Sequence, residues 1–335
     1  MVELEQEKIE EFEVSKKEGT FKKVLFWMGK NVKFILIPGS KLEELSIREF
    51  EYEKTISKRK FIRRLKSVLT IIGIVIVFTV VSFAVFGDWL SPYTYYEASL
   101  PYYPGAWDPP SPGHLLGQTR YGRDILARLI FGARSSLTIA LPAITFSVIL
   151  GVIFGVISGF YGGVVDSIIM RVMDVFLAFP GLILALVFVA ILGQNMEYIM
   201  LAFGILGVPF YSRLIRASVL QARELPYVEA ARVAGSGNMR IMFRHVLPNT
   251  IQPIIISFTF NIGGIILSLA GLSFLGYSDI RLIEWGSDIN QASMHLYDAP
   301  WAAIWPGVMI LLTVLGFMLV GDGLRDALDP RLKNI

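Results

Sequence analysis

The sequence contains no cysteine, which excludes a disulfide framework, a Cys-based zinc site and a thiol nucleophile. Charge is scarce: Asp, Glu, Lys and Arg make up 18% of the 335 residues, against about 25% in a typical soluble domain. Only three histidines occur, His114, His245 and His295, and none are spaced as His-x-x-x-His. No Gly-x-x-x-x-Gly-Lys-[Ser/Thr] segment is present, so the chain does not cradle nucleotide phosphates in the P-loop manner. What fills the chain instead is apolar: 54% of residues, with 30 glycines and 13% aromatics. That composition excludes a disordered chain, argues against a soluble enzyme, and fits helices packed in lipid.

Long runs free of Asp, Glu, Lys and Arg place the spans. A bilayer-crossing helix needs about 20 apolar residues, because ~30 Å of hydrocarbon is covered at ~1.5 Å per residue. Ser67–Gly87, Ser135–Val165, Val175–Met196, Val246–Ser278 and Ala299–Gly321 all qualify. A sixth run, Tyr198–Ser212, has 15 residues and spans only if Arg213 and Arg216 snorkel at its end. The expected fold is an all-α membrane protein with six transmembrane helices. Gly159-Phe160-Tyr161-Gly162-Gly163 reads as a turn after the second span.

The Lys and Arg balance sets the orientation. With the N-terminus inside, 26 basic residues fall on the inner side and 5 on the outer. Lys58, Arg59, Lys60, Arg63, Arg64 and Lys66 carry most weight, standing just before the first span. Both termini are therefore expected in the cytoplasm. Arg120, Arg123, Arg128 and Arg134 oppose the rule. They are assigned to an external surface helix with Ile125, Leu126, Leu129 and Ile130 on its apolar face.

The expected organisation is a cytoplasmic N-terminal region (1–66), a first span (67–87), an external loop with a surface helix (88–134), a core of five spans (135–324) and a cytoplasmic tail (325–335). Amphipathic helices are expected over 21–37 and 40–56, the second from the capping-box form Ser40-Lys41-Leu42-Glu43. No cleavable secretion signal is visible: the first 18 residues are mixed-charge and rich in Glu.

The six runs carry no buried charge, which weighs against a proton-driven carrier. Energy would then come from outside the membrane domain. A sodium-coupled carrier or passive channel built from backbone carbonyls remains open. An intramembrane enzyme would need buried His, Asp or Glu, which the runs lack. No catalytic residue, metal site or nucleic-acid surface is assigned. Two stripes of small residues stand out. Ser147, Gly151, Gly155 and Gly159 recur every fourth residue and read as a helix-packing face. Ser257, Asn261, Gly264, Ser268 and Gly271 hold one face of the fifth span. That face borders either a polar cavity, with Ser257, Asn261 and Ser268 on its wall, or an ordinary helix seam.

The segment 224–248, between the fourth and fifth spans, is the most informative. Pro226 suits a first helical turn and Gly235 a C-terminal break, so a helix of about two turns is expected between them. A second short helix is expected from Asn238. Glu229-Ala230-Ala231, then Gly235, then Leu247-Pro248 resembles the EAA loop of permease subunits of bacterial ABC importers. His245 stands where the general pattern has Ile, and Phe243-Arg244-His245-Val246-Leu247-Pro248-Asn249 is similar to the dipeptide, oligopeptide and nickel branch. Segments 116–124, 159–166 and 171–180 agree with that branch, and the tail 321–331 resembles its second, C-type permease. The resemblance covers about residues 61–335. It departs at Gln118-Thr119-Arg120-Tyr121, where an acidic residue is more usual, and in the long N-terminal region.

The resemblance implies a non-catalytic subunit forming half of a translocation path. Its partners would be a homologous permease subunit, two cytosolic ATPase subunits and an external substrate-binding protein. The chain would hold no cofactor, with ATP and Mg bound by the ATPases. Tyr227, Glu229, Ala230, Ala231, Gly235 and Arg240 would form the ATPase-coupling surface. Of these, Glu229 would be a polar anchor, Ala230 and Ala231 would allow close approach, and Gly235 would make the turn. Trp107, Tyr102, Tyr103 and Trp285 would meet the binding protein or form an aromatic belt. The expected cargo is short peptides, with oligosaccharides or nickel as alternatives. The expected location is the cytoplasmic membrane of a bacterium or archaeon.

Overall fold

A computed structural model describes residues 67–99, 105–279 and 281–328. The expected helices at 21–37 and 40–56, together with Tyr102, Tyr103 and residues 329–335, lie outside the described residues.

Helices dominate the described chain. α1 (Val68–Leu90) opens on Ser67, whose hydroxyl accepts the Thr70 amide. A short α2 (Tyr95–Ser99) follows, and then α3 (Ile125–Tyr161). Next come α4 (Gly163–Leu177), α5 (Gly181–Leu192) and α6 (Met196–Ala222). α7 (Pro226–Val233), α8 (Asn238–Arg240), a π-turn at Ile241–Val246 and α9 (Leu247–Thr250) form an elbow. α10 (Gln252–Phe274), α11 (Trp285–Ala292) and α12 (Trp301–Leu328) complete the described chain.

α1, α3, α6, α10 and α12 are each long and apolar enough to cross a bilayer. The third span is not the straight helix expected over Val175–Met196. It is the pair α4 and α5, bent by 86°. The break falls at Ala178-Phe179-Pro180, where proline has no amide to continue the ladder and pushes the residue before it out of helical geometry. α5 alone has 12 residues, or about 18 Å, too short to cross. Yet the pair acts as one crossing. Ser147, Gly151, Gly155 and Gly159 of α3 meet Gly204, Val208, Ser212 and Arg216 of α6 in ascending register, so the two helices run parallel. The chain between them must return to its starting end.

Other pairs run antiparallel. Gly73, Gly316 and Gly323 bring α1 and α12 into close contact, Gly323 against Thr70 and Gly316 against Ile76. The start of α3 packs against the end of α1, with Gly87 beside Ile130 and Phe131. It follows that the start of α1, the end of α12 and the elbow share one end of the bundle. Gln252 fastens that end by donating to the Leu328 carbonyl at 2.6 Å. α12 continues to Leu328, so the first four residues of the expected tail, 325–328, are helical.

Two more expectations are corrected. The surface helix carrying Arg120–Arg134 does not exist as a separate element. α3 begins at Ile125, capped by Asp124, and runs unbroken for 37 residues. Ile125, Leu129 and Ile130 are buried in protein and not laid on a membrane surface. The run stays continuous because its arginines are partnered: Arg128 by Asp288 and Arg134 by Asp88 at 2.8 Å. The fourth span does not end at Ser212 either. α6 extends through Arg213 and Arg216, and they pair with Asp174 and Asp166 of α4. Both Arg216 nitrogens engage the Asp166 carboxylate, which also accepts from Ser158. Charges that looked unaffordable inside a span are cancelled across a helix pair.

Candidate functional site

Three features bear on function, the first being the elbow. Pro226 starts α7, where its missing amide costs nothing. The helix ends in a Schellman motif: Ser236 donates to the Ala231 carbonyl at 3.0 Å and Gly235 to that of Arg232 at 2.9 Å. Gly235 takes φ +78°, which glycine adopts without a Cβ penalty. Val228 is fully buried and packs with Ile241, Met242 and Val246 of the π-turn. That turn widens just before Pro248, whose ring disfavours the tighter α-helical ladder to Arg244. α7 is therefore a stiff post, anchored on one side and exposed on the other.

The six residues assigned to the coupling surface lie together on this elbow. Glu229, Ala230, Gly235 and Arg240 are exposed, while Tyr227 and Ala231 are half-buried. The exposed face also carries residues that sequence reasoning passed over: Val233, 85% exposed, with Met239 and Phe243. Apolar side chains among charges on a polar loop were the available signal. Arg232 lies over the Phe160 ring at 5.7 Å, linking the elbow to the end of α3.

The stripe Ser147, Gly151, Gly155 and Gly159 is the seam between α3 and α6. Ser147 donates to the Gly204 carbonyl at 2.6 Å. A Cβ on Gly151 would stand 3.0 Å from the Val208 oxygen, and one on Gly159 3.0 Å from that of Arg216. One side of this seam opens into a cavity of about 300 Å³. Its wall includes Ser147, Gly181, Phe203, Tyr211, Asn261 and Ser268. Asn261 donates to the Tyr211 hydroxyl at 3.0 Å, and Tyr211 donates to the Ser257 carbonyl at 3.3 Å. Ser257 is thus a backbone support and not part of the wall. A Cβ on Gly264 or Gly271 would meet nothing nearer than 3.9 Å, so no described helix packs closely along this stripe. The break before α5 delivers Gly181 and Leu182 to the same cavity, an arrangement typical of interrupted helices beside a path.

The opposite end of the bundle from the elbow holds a buried polar knot. Arg128 Nε contacts both Asp288 oxygens at 2.9 Å, and Nη1 donates to the Ala98 carbonyl at 2.6 Å. Trp285 donates to the Leu129 carbonyl at 3.1 Å and fits over Gly132. At 1% exposure Trp285 cannot meet an external partner, contrary to the expectation. Trp107 is half-buried and rests on His295, ring centroids 4.8 Å apart. His114 lies 3.0 Å from Asp124, the cap of α3. Gln118, one of the departures in the motif at 116–124, donates to the Gly122 carbonyl at 2.6 Å and closes the turn that presents that cap.

Glu284 sits beside this knot with one carboxylate oxygen unpartnered. Burial first, then the Asp288 and Asp279 charges, push its carboxyl up to about 8 from 4.5. Above pH 4.5 the unfolded chain ionises this group while the folded chain keeps it protonated. Stability is expected to fall as pH rises through that window and to level off above about 8, by a few kcal/mol overall. Melting of Glu284→Gln across the same range should lose this slope; an unchanged slope would place the titration elsewhere.

The described residues form a helical bundle of five long apolar helices and one bent pair, with a cavity midway along α3 and α10 and a stiff exposed elbow at one end, an architecture suited to a membrane permease. Residues 151–334 match the family described as the inner membrane component of binding-protein-dependent transport systems. Residues 59–110 match the N-terminal transmembrane domain of oligopeptide transport permease C. The chain is similar to the dipeptide transport system permease protein DppC of Alkalihalophilus pseudofirmus, 38% identical over 270 residues, covering 80% of this chain and 88% of the relative. It is also similar to the glutathione transport system permease protein GsiD of Escherichia coli, 40% identical over 280 residues, covering 82% and 90%. The same protein of Pectobacterium atrosepticum is 38% identical over 281 residues, covering 82% and 92%. This chain belongs to the family of binding-protein-dependent transport permeases and is a multi-pass membrane protein.

Proposed function

We propose that the chain is one of two permease subunits of an ATP-driven importer of short peptides in the cytoplasmic membrane. The elbow faces the cytosol and docks on an ATPase subunit, one of a pair that binds ATP and Mg. The knot at the far end faces outward, where a substrate-binding protein delivers cargo. The cavity beside Asn261 is this subunit's share of the path, completed by a homologous permease. Membrane lipid covers the remaining apolar faces.

The observation that carries this reading is the exposed α7 post. Its Schellman stop and the buried Val228 make it rigid, so a push on its outer face moves α6 and α10 as a body. The relatives named for dipeptide and glutathione transport support a peptide cargo. Glu229→Arg tests the docking. Glu229 is exposed, so the fold and melting temperature should hold, while co-purified ATPase and ATP-driven uptake should fall about tenfold or more. Full uptake in that variant would remove the coupling role. Uptake by this chain in liposomes without any ATPase would instead favour a carrier or channel acting alone.

A further inference from the structure

The direction of the hydrogen bonds around the cavity fixes which face each polar group shows. A carbonyl only accepts, so the Tyr211 hydroxyl must be the donor to Ser257. Its hydrogen is then committed, and it can only accept from Asn261. The Asn261 amide nitrogen therefore faces Tyr211, at 3.0 Å. The Oδ1 oxygen is turned away from that bond and has no protein partner among the described residues. The same logic applies nearby. The Ser268 hydroxyl donates to the Gly264 carbonyl at 2.9 Å, which leaves its lone pairs. The Ser147 hydroxyl donates into the helix carbonyls of Ala143 and Gly204. Three wall residues thus spend hydroxyl hydrogens on backbone, and among the described residues no Asp, Glu, Lys or Arg lines the cavity.

We infer that Asn261 is a specificity-determining residue that reads an N–H donor of the cargo, the free amino terminus of a peptide above all. This rests on the peptide-importer reading. The Asn261 oxygen stands among the apolar side chains of Phe203, Leu206 and Phe210, so an ammonium that reaches it forms a charge-assisted bond and a neutral amide N–H an ordinary one. A blocked amino terminus loses the positive charge and most of that gain. The Tyr211–Ser257 relay holds the amide in this orientation, so the discrimination is built into the fold and needs no charged side chain.

The test uses the complete transporter in liposomes, with its permease partner, ATPases and binding protein. The probes are one alanine tripeptide in free, N-acetylated and C-amidated forms. Affinity of the binding protein for each form is measured separately and divided out. The wild type should favour the free amino terminus over the acetylated form by about tenfold, the worth of one charge-assisted bond. Asn261→Leu should bring that ratio to about one while leaving the ratio for the C-amidated form unchanged. Asn261→Asp, which adds a charge to the acceptor, should raise the free-over-acetylated ratio several-fold above wild type. Opposite shifts in the two variants are not what a merely structural role gives. An unchanged ratio in both, with peptide uptake intact, overturns the inference and leaves the importer reading standing. Absence of ATP-driven uptake of any peptide by the wild type overturns the importer reading and the inference with it.

Discussion

Gly155→Ala is expected to cost about 3 kcal/mol or more, with a lower melting temperature and less folded protein. A Cβ at this position falls on the Ser212 carbonyl oxygen and on a methyl of Ile215. Neither neighbour can step aside. The carbonyl is part of the α6 ladder, and Ile215 is fully buried. α3 and α6 must therefore separate, which loosens the contacts at Gly151 and Gly159 one turn away on each side. Gly264→Ala supplies the control. Its Cβ meets only the Asn261 oxygen at 4.0 Å, and alanine is the better helix former by about 0.8–1.0 kcal/mol. Thermal unfolding in detergent should show a large loss for the first variant and no loss for the second. Equal melting temperatures for wild type and Gly155→Ala would mean that the seam is not closely packed.

Arg128→Met should cost about 3–5 kcal/mol. Arg128 is 3% exposed and joins α3 to α11 through Asp288 and to α2 through the Ala98 carbonyl. Removing it leaves the Asp288 carboxylate buried without its cation and closer in effect to Glu284. The double variant Arg128→Met/Asp288→Leu removes both charges and should recover most of the loss, since buried pairs are costly to break but cheap to replace whole. A single variant as stable as wild type, or a double variant worse than the single, would show that the pair does not hold this end together. Transport by the single variant should suffer too, because α11 and Trp285 cap the bundle at this end.

Much of this was readable from residue order alone. Charge-free runs located α1, α3, α10 and α12, because lipid penalises unpaired charge. Pro226 and Gly235 bracketed α7, because each acts on its own backbone. The four-residue spacing of Ser147, Gly151, Gly155 and Gly159 announced a packing face. Its partner was not announced. Nothing in the spacing says that α6 lies against it, or that the two run parallel, since that depends on the return of the chain through α4 and α5.

The failures share one cause. A run ending at Ser212 looked too short, and Arg128 looked like the mark of a surface helix, because each charge was weighed alone. Asp166, Asp174 and Asp288 lie 50, 39 and 160 residues from the arginines they neutralise. Pairing over such separations is invisible to any local window. Trp285 misled in the same way, since an aromatic residue in an outer loop gives no hint that Gly132 leaves room for it.

What the sequence determined alone was therefore the set of apolar crossings, the short elbow helix and the small-residue faces, all consequences of local composition in lipid. What only the tertiary structure decided was the bend of the third crossing, the partners of the buried charges and the cavity wall around Asn261. Those depend on groups distant in the chain meeting in space, where a buried charge or amide is tolerated only once its partner has arrived.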